Sequence, residues 1–342
     1  MSRILLAFSG GVDSTVAAHL CKRNGFEVLA VNMRLLPDSA TGSDQVQLAA
    51  DKSGVELRFL DLQQEFQDCV MRQCWDVFAS GRTPNPCVIC NPLFKFGKLM
   101  DFALENGCDA MATGHYVRKL ENGMLARGVH RAKDQSYFLF GLSKRQIDFA
   151  RFPLGNMTKD EVRAIADSLG LPNAKAKESQ DACFTPASGT LADFLQEKFN
   201  APVRRGCFIH AETGKILGQH RGIHAYTIGQ RKGTGVALGT PAYVQKIDAP
   251  HRAVYITADE ATLLQNELTV HEVNWQTASV PEAPFSADVQ IRYRTPAAPA
   301  TVTPCPDGSV KVSFDTPMRA ITPGQAAVFY DGETLLGGGL ID

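Results

Sequence analysis

The segment from Ile4 to Ser14, Ile-Leu-Leu-Ala-Phe-Ser-Gly-Gly-Val-Asp-Ser, limits what this chain can fold into more than any other stretch. Ile4 to Phe8 is a continuous apolar run of the kind buried on both faces in a parallel sheet. Beyond the Gly10-Gly11 turn, Val12, Val16, Ala17, Leu20 and Cys21 recur at helical spacing, with Lys22 and Arg23 in the last turn and Asn24-Gly25 as the stop. A strand that turns over glycines into a helix presents bare backbone amides at the positive helix end, where an anion is stabilised. Ser9 and Ser14 add hydroxyl donors. The loop lacks the Lys-Ser/Thr pair of a Walker A motif. Asp13 would repel phosphate unless it helps to hold a divalent cation, which favours a magnesium nucleotide over a bare anion.

The same alternation continues to about residue 116. Phe26 to Met33 reads as a strand, Asp44 to Ser53 as a short helix, Val55 to Leu62 as a strand, Gln64 to Ser80 and Leu93 to Asn106 as helices, and Asp109 to Thr113 as a strand. This predicts a doubly wound parallel α/β sheet with ligands at the carboxyl ends of its strands. The Phe, Leu and Trp75 side chains of the 64–80 helix read as core. Val117 to Val129 reads as a hairpin turned at Asn122-Gly123, and Thr158-Lys-Asp-Glu161 as a capping box opening a helix to about Leu169. After a helix from Leu191 to Phe199, strand patterns dominate: Gly206 to His210, Tyr243 to Ile247, Ala253 to Thr257, Ala287 to Tyr293, Val310 to Phe314 and Ala326 to Tyr330. A small central module and a C-terminal β-barrel are expected.

Charge narrows the partner. The 342 residues carry 35 basic and 36 acidic side chains, a near-balance that hides an asymmetry. Residues 1–117 hold 10 basic and 13 acidic groups (net −3), residues 118–252 hold 21 and 12 (net +9), and residues 253–342 hold 4 and 11 (net −7). A basic strip between acidic flanks suits a polyanion, and Lys175, Lys177, Arg204, Arg205, Arg221, Arg231 and Lys232 supply much of it. The N-terminal apolar run is too short for a signal-peptide core, and no stretch approaches the ~20 apolar residues of a membrane span, so a cytoplasmic protein is expected. His210, His220, His224 and His251 match no metal-ligand spacing.

Nine cysteines, an odd number with seven before residue 200, argue against a secreted disulfide framework. Cys21, Cys69, Cys74, Cys108, Cys207 and Cys305 read as small buried hydrophobes. Cys87 and Cys90 fall in Arg82-Thr-Pro-Asn-Pro-Cys-Val-Ile-Cys-Asn91, read as a rigid proline-rich loop, and Cys183 in Lys177-Glu-Ser-Gln-Asp-Ala-Cys-Phe184 on another. Polar and turn-forming neighbours suit exposed, reactive sulfur.

The hexapeptide SGGVDS at 9–14 resembles the pyrophosphate loop of the N-type ATP pyrophosphatases, a superfamily that includes GMP synthetase and several tRNA-modifying enzymes. Further ordered segments resemble the tRNA-specific 2-thiouridylase family: GRTPNP at 81–86, CN at 90–91, ATGHY at 112–116, KDQSYFL at 133–139, KESQDACF at 177–184, IGQRKG at 228–233, RYR at 292–294, TPGQAAVFYDGE at 322–333 and LGGGLI at 336–341. The resemblance covers nearly the whole chain. It implies an adenine-nucleotide hydrolase-like catalytic domain at 1–192, a small tRNA-binding module at 193–256 and a β-barrel at 257–342. The implied reaction is ATP-dependent 2-thiolation of the wobble uridine in tRNA, with ATP and Mg2+ required and a cysteine desulfurase or sulfur-relay protein as donor.

By position, the resemblance implies that Ala7, Phe8, Ser9, Gly10, Gly11, Val12, Asp13 and Ser14, with Met33 and Gly114, hold ATP. It makes Cys90 the thiol of the first loop and Cys183 the persulfide carrier, with Asp13 beside the reacting phosphates and a Cys90–Cys183 disulfide formed in turnover. Asn85, Pro86 and Cys87 would lie near the target base, Lys133, Asp134, Gln135, Arg292 and Tyr293 would contact tRNA, and His115 and Gln325 would flank the site. Lys95, Arg131 and Lys133 are candidate counter-charges for phosphate. Well-known members carry Asp where this chain has Cys87, so Cys87, Cys90 and Cys183 also admit a [4Fe-4S] cluster. An ammonia-using synthetase and a non-catalytic tRNA-binding sulfur carrier remain open alternatives.

Overall fold

A computed structural model describes residues 2–37, 43–171, 182–186 and 188–342. Lys175, Lys177 and most of the 177–184 segment lie outside the described residues. The first sheet is fully parallel, in the order β3-β2-β1-β4-β7: β1 is Arg3–Ala7, β2 Glu27–Arg34, β3 Glu56–Asp61, β4 Ala110–Ala112 and β7 Ala150–Arg151. Helix α1 (Val12–Arg23) follows β1 and α2 (Ser43–Ser53) follows β2. Leu5, Leu6, Leu29 and Ala30 are fully buried, as strands covered by helices on both faces require. The chain leaves β1 toward one edge, through β2 and β3, and returns to pair β4 on the other side of β1. That reversal opens the crevice in which doubly wound sheets bind ligands.

The helix read at 64–80 forms, and the one after it departs from the sequence reading. Residues 63–79 are continuously helical through a π turn at Gln67–Met71. The next helix, expected from Leu93, begins at Pro86 and continues through a π segment to Glu105. Cys87 and Cys90 therefore stand in its first turns instead of on a loop. The physical reason lies in the residues themselves: Pro86 occupies the first helical position, where its missing N–H costs nothing, and the Asn85 side chain accepts from the Cys87 amide at 3.2 Å. The expected capping box is present, with Thr158 and Glu161 bonding reciprocally at the start of the Lys159–Ser168 helix.

The hairpin of β5 (Val117–Lys119) and β6 (Leu125–Arg127) forms as read, but it is hydrogen-bonded to the last strand of the chain. The central module is a four-stranded sheet, β10-β11-β8-β9, from β8 (Gly206–His210), β9 (Ile216–His220), β10 (Tyr243–Asp248) and β11 (Ala253–Thr257). The C-terminal strands are β12 (Leu264–Trp275), β13 (Phe285–Gln290), β14 (Ala298–Pro304), β15 (Val310–Arg319), β16 (Ala326–Asp331) and β17 (Thr334–Ile341). They run in the order 12-15-14-13-16-17, and β17 pairs back onto β12, closing a barrel without free edges. Among the described residues, no helix is long and apolar enough to cross a membrane.

Candidate active site

A cavity of about 1570 Å³ opens at the carboxyl ends of β1, β2 and β4 and extends to the thiol helix and the barrel. One wall is the Ser9–Ser14 loop. Ser9 Oγ accepts from the Gly11 amide at 3.3 Å and lies 3.2 Å from Ser14 Oγ, so the two hydroxyls are held where the bare amides begin. Gly114 packs against this loop. A Cβ there would lie 3.3 Å from both Asp13 C and Ser14 N, a tighter approach than ordinary contact, so a larger residue would require the loop to give by a few tenths of an ångström.

Asp13 is not left to repel an anion. Lys159, 4% exposed, donates from Nζ to Asp13 Oδ1 at 2.7 Å, and the Tyr116 hydroxyl donates to the same oxygen at 2.7 Å. Sequence reasoning named a divalent cation as the compensating charge; the fold supplies a lysine. Lys159 went unnoticed because it opens a helix 146 residues away, and its one signal is a cation in a first helical turn, where the dipole disfavours it.

The second wall carries the thiols. Cys87, Cys90 and Cys183 all line the cavity; Cys87 and Cys183 both raise the Cys90 thiol, and Cys87 raises that of Cys183. Cys90, read as an exposed loop thiol, is buried, because its helix packs on the one before it. Burial pushes the Cys90 thiol up to about 12, with Lys95 opposing that rise and the two neighbouring thiols adding to it. Burial likewise raises Cys87, against Lys95. Cys183 is exposed on its own surface but stands among the cavity walls, whose crowding raises its thiol while Lys95 lowers it. Lys95 is the cation common to all three. Of the six cysteines read as buried, Cys69 is exposed and Cys207 and Cys305 are half-buried.

Among the described residues, no three His, Cys, Asp or Glu side chains, Cys87, Cys90 and Cys183 included, come together as a metal-holding group. Asn91 is a further residue that points to chemistry. It is 2% exposed, its Nδ2 donates to the Cys87 and Phe138 carbonyls at 2.9 and 3.3 Å, and this fixes the amide so that Oδ1 is buried in the cavity wall without a partner among the described residues.

The remaining sequence candidates divide by what their polar atoms do. Ala7, Phe8, Val12, Met33, Pro86, Lys133, Gln135 and Tyr293 line the cavity; Gly10, Asn85, Arg292 and Gln325 do not. Asp134 is spent on the scaffold, accepting from the Gly128 and Ser136 amides, Ser136 Oγ and Arg127. Gln135 Oε1 accepts from the Tyr116 amide at 3.1 Å. His115 is 7% exposed beside Thr113 Oγ1, and burial, helped by Lys95, holds its pKa well below the usual range, so the ring is neutral near pH 7. Arg292 donates to the Ile228 and Ala320 carbonyls and to Thr322 Oγ1, joining the central module to the barrel. Gln325 Nε2 donates to the Thr83 and Pro84 carbonyls at 3.0 and 3.1 Å, and Gly324, at φ +86°, would bring a Cβ within 2.9 Å of Thr83 O. The TPGQ turn thus clamps the strap that leads into the thiol helix.

The fold and this cavity define a nucleotide-binding α/β enzyme of the ATP pyrophosphatase type with a thiol wall and a β-barrel clamp. Residues 2–187 match the family described as the tRNA methyl transferase HUP domain, residues 192–258 its PRC-barrel domain and residues 265–341 the aminomethyltransferase beta-barrel domain. The tRNA-specific 2-thiouridylase of Syntrophotalea carbinolica is 44% identical across 99% of this chain and 98% of its own, and that of Nostoc punctiforme is 41% identical across 100% and 99%. The chain belongs to the tRNA-specific 2-thiouridylase family. Among solved structures, a 4-thiouridine synthetase in complex with RNA and ATP covers 58% of this chain and 50% of its own, at 19% identity and a TM-score of 0.37.

Proposed function

We propose that this chain is an ATP-dependent tRNA uridine 2-sulfurtransferase working through a cysteine persulfide. The observation that carries the reading is that one cavity holds both an anion loop and the Cys90 and Cys183 thiols. Methyl transfer, which two of the matched family descriptions mention, has no use for paired thiols beside a phosphate cradle.

The Ser9–Ser14 amides and hydroxyls hold the ATP phosphates; Asp13, whose Oδ1 already meets Lys159, would hold magnesium together with the phosphate oxygens, and that ion would supply charge neutralisation there. The uridine O2 attacks the α-phosphorus, pyrophosphate leaves, and the poor leaving group at C2 becomes an adenylate. The terminal sulfur of a Cys183 persulfide attacks C2 and AMP departs. Cys90 thiolate then attacks the Cys183 sulfur, which frees the thiocarbonyl and leaves a Cys90–Cys183 disulfide for a cellular thiol to reduce. Alternatively, Cys90 attacks the persulfide first and releases hydrosulfide, which then attacks C2, with the same disulfide left behind. Asn91 Oδ1 is an acceptor suited to the uracil imino N–H. A cysteine desulfurase or sulfur-relay protein loads Cys183, whose exposed surface suits that exchange.

The test is sulfur incorporation into an unmodified tRNA transcript, with ATP and a persulfide donor. Cys90→Ala and Cys183→Ala are expected to abolish incorporation while pyrophosphate release on tRNA addition continues. Sulfur transfer that survives Cys183→Ala would end the persulfide reading, and ATP cleavage indifferent to tRNA would end the substrate reading.

A further inference from the structure

A second cavity, of about 630 Å³, lies where the 63–79 helix meets the central module, and it shares no lining residue with the first. Its size is that of a small-molecule site. Trp75 and Ala79 come from the helix, Ile223 and His224 from the turn after β9, and Arg204 and Arg252 from the two sides of the module. His224 is 6% exposed, its ring centroid lies 5.4 Å from that of Trp75, and its Nε2 is buried without a hydrogen-bond partner among the described residues. An unpartnered buried nitrogen is costly unless a ligand or a local shift satisfies it. Arg204 and Arg252 are both exposed, and neither side chain has a hydrogen bond or ion pair among the described residues.

An indole, a polar ring nitrogen and two unengaged guanidinium groups around one cavity match the three parts of a nucleotide. We propose that this cavity takes one unstacked nucleotide of the tRNA, its base on the Trp75 side, its sugar or base edge at His224 and its phosphate between Arg204 and Arg252. The proposal rests on the tRNA reading above and adds a second point of contact to it. Aromatic stacking on a base contributes about 1–3 kcal/mol and tolerates any base, whereas the arginines add the salt-dependent part. A ribose hydroxyl both donates and accepts, so it suits either tautomer of His224. The location matters: the helix bearing Trp75 runs into Gly81, where a Cβ would come within 2.8 Å of Ile247, and from there into the strap to Cys87. A nucleotide held here sits on the element that carries the thiols.

The full-length protein with Trp275→Phe leaves Trp75 as its only indole, since the chain has two tryptophans. Titration with a tRNA transcript is expected to change Trp75 emission in step with binding, while UMP does so only at concentrations about 100-fold higher or more. Arg204→Glu with Arg252→Glu is expected to raise the tRNA Kd about tenfold or more and to remove the emission change, with ATP affinity unaltered. tRNA binding that leaves Trp75 emission unchanged, or a charge-reversed protein with the original Kd, overturns the proposal and leaves the sulfurtransferase reading standing. UMP acting at tRNA concentrations assigns the cavity to a free nucleotide and also overturns it. If the unaltered protein binds no tRNA, both readings fall together.

Discussion

Lys159 shows how much a single side chain carries here. It compensates Asp13 at the edge of the anion loop; Lys159 is buried but the Asp13 side chain is 31% exposed, so stranding that carboxylate costs less than the about 3–5 kcal/mol of a fully buried pair. Lys159→Met is therefore expected to lower thermal stability and to weaken binding of a non-hydrolysable ATP analogue, by calorimetry, about tenfold or more. Adding Asp13→Asn should recover stability but not turnover; an unaltered single variant would remove the pair from the site. The thiols give a pH prediction. Cys90 is raised to about 12 by burial, so near neutrality it is protonated, and its thiolate fraction grows about tenfold per pH unit below that value. Single-turnover sulfur transfer should climb with that slope between about pH 7 and 9. Lys95 lowers the pKa of all three thiols, so Lys95→Met should displace the profile to higher pH; a flat profile would mean that thiolate formation limits nothing.

At the level of elements, the site depends on where strands end and helices begin. Gly114 follows β4 and lies against the loop that follows β1, across the crevice made by the strand order. Gly114→Ala is expected to push that loop aside at a cost of about 1–3 kcal/mol, read as a roughly tenfold or greater loss of ATP affinity with tRNA affinity kept. Equal affinity for ATP would show the loop yields without consequence. The first strand, its glycine turn and α1 were legible because apolar period, turn residues and caps all agreed. The thiol helix was misjudged because proline was taken as a loop former, whereas Asn85 and Pro86 together make a helix start. Strands β9, β12, β14 and β17 were missed for a related reason: outward-facing charges in β12, prolines bounding β14 and glycines in β17 hide the alternation that burial on one face imposes.

Across the molecule, all three sequence regions converge on the strap from Gly81 to Asn85. Arg82 Nη2 donates to the Ile341 carbonyl at 2.7 Å at the chain's end, Thr83 Oγ1 lies 3.1 Å from Thr227 Oγ1 of the central module, and Gln325 holds the Thr83 and Pro84 carbonyls. The thiols of the nucleotide domain are thus aimed by the other two parts. Recognition of RNA belongs to the same scale. Arg231 and Lys232 are exposed in the basic strip, and Arg231→Glu with Lys232→Glu is expected to weaken tRNA binding and to flatten its salt dependence, with ATP binding kept. An unchanged salt slope in a filter-binding assay would take both residues out of the interface.

The amino-acid sequence alone determined the class of fold and the anion loop, and it singled out Cys87, Cys90 and Cys183, which all line the cavity, because each is written in local period, turn chemistry and ordered motifs. Tertiary structure alone decided that Lys159 neutralises Asp13, that Asp134, Arg292 and Gln325 are occupied in holding the scaffold, that the hairpin of β5 and β6 joins the barrel, and that Cys90 is buried. Those outcomes depend on groups far apart in the chain meeting in a low-dielectric interior, where a charge or polar atom needs a partner and local sequence carries no record of which distant residue will provide it.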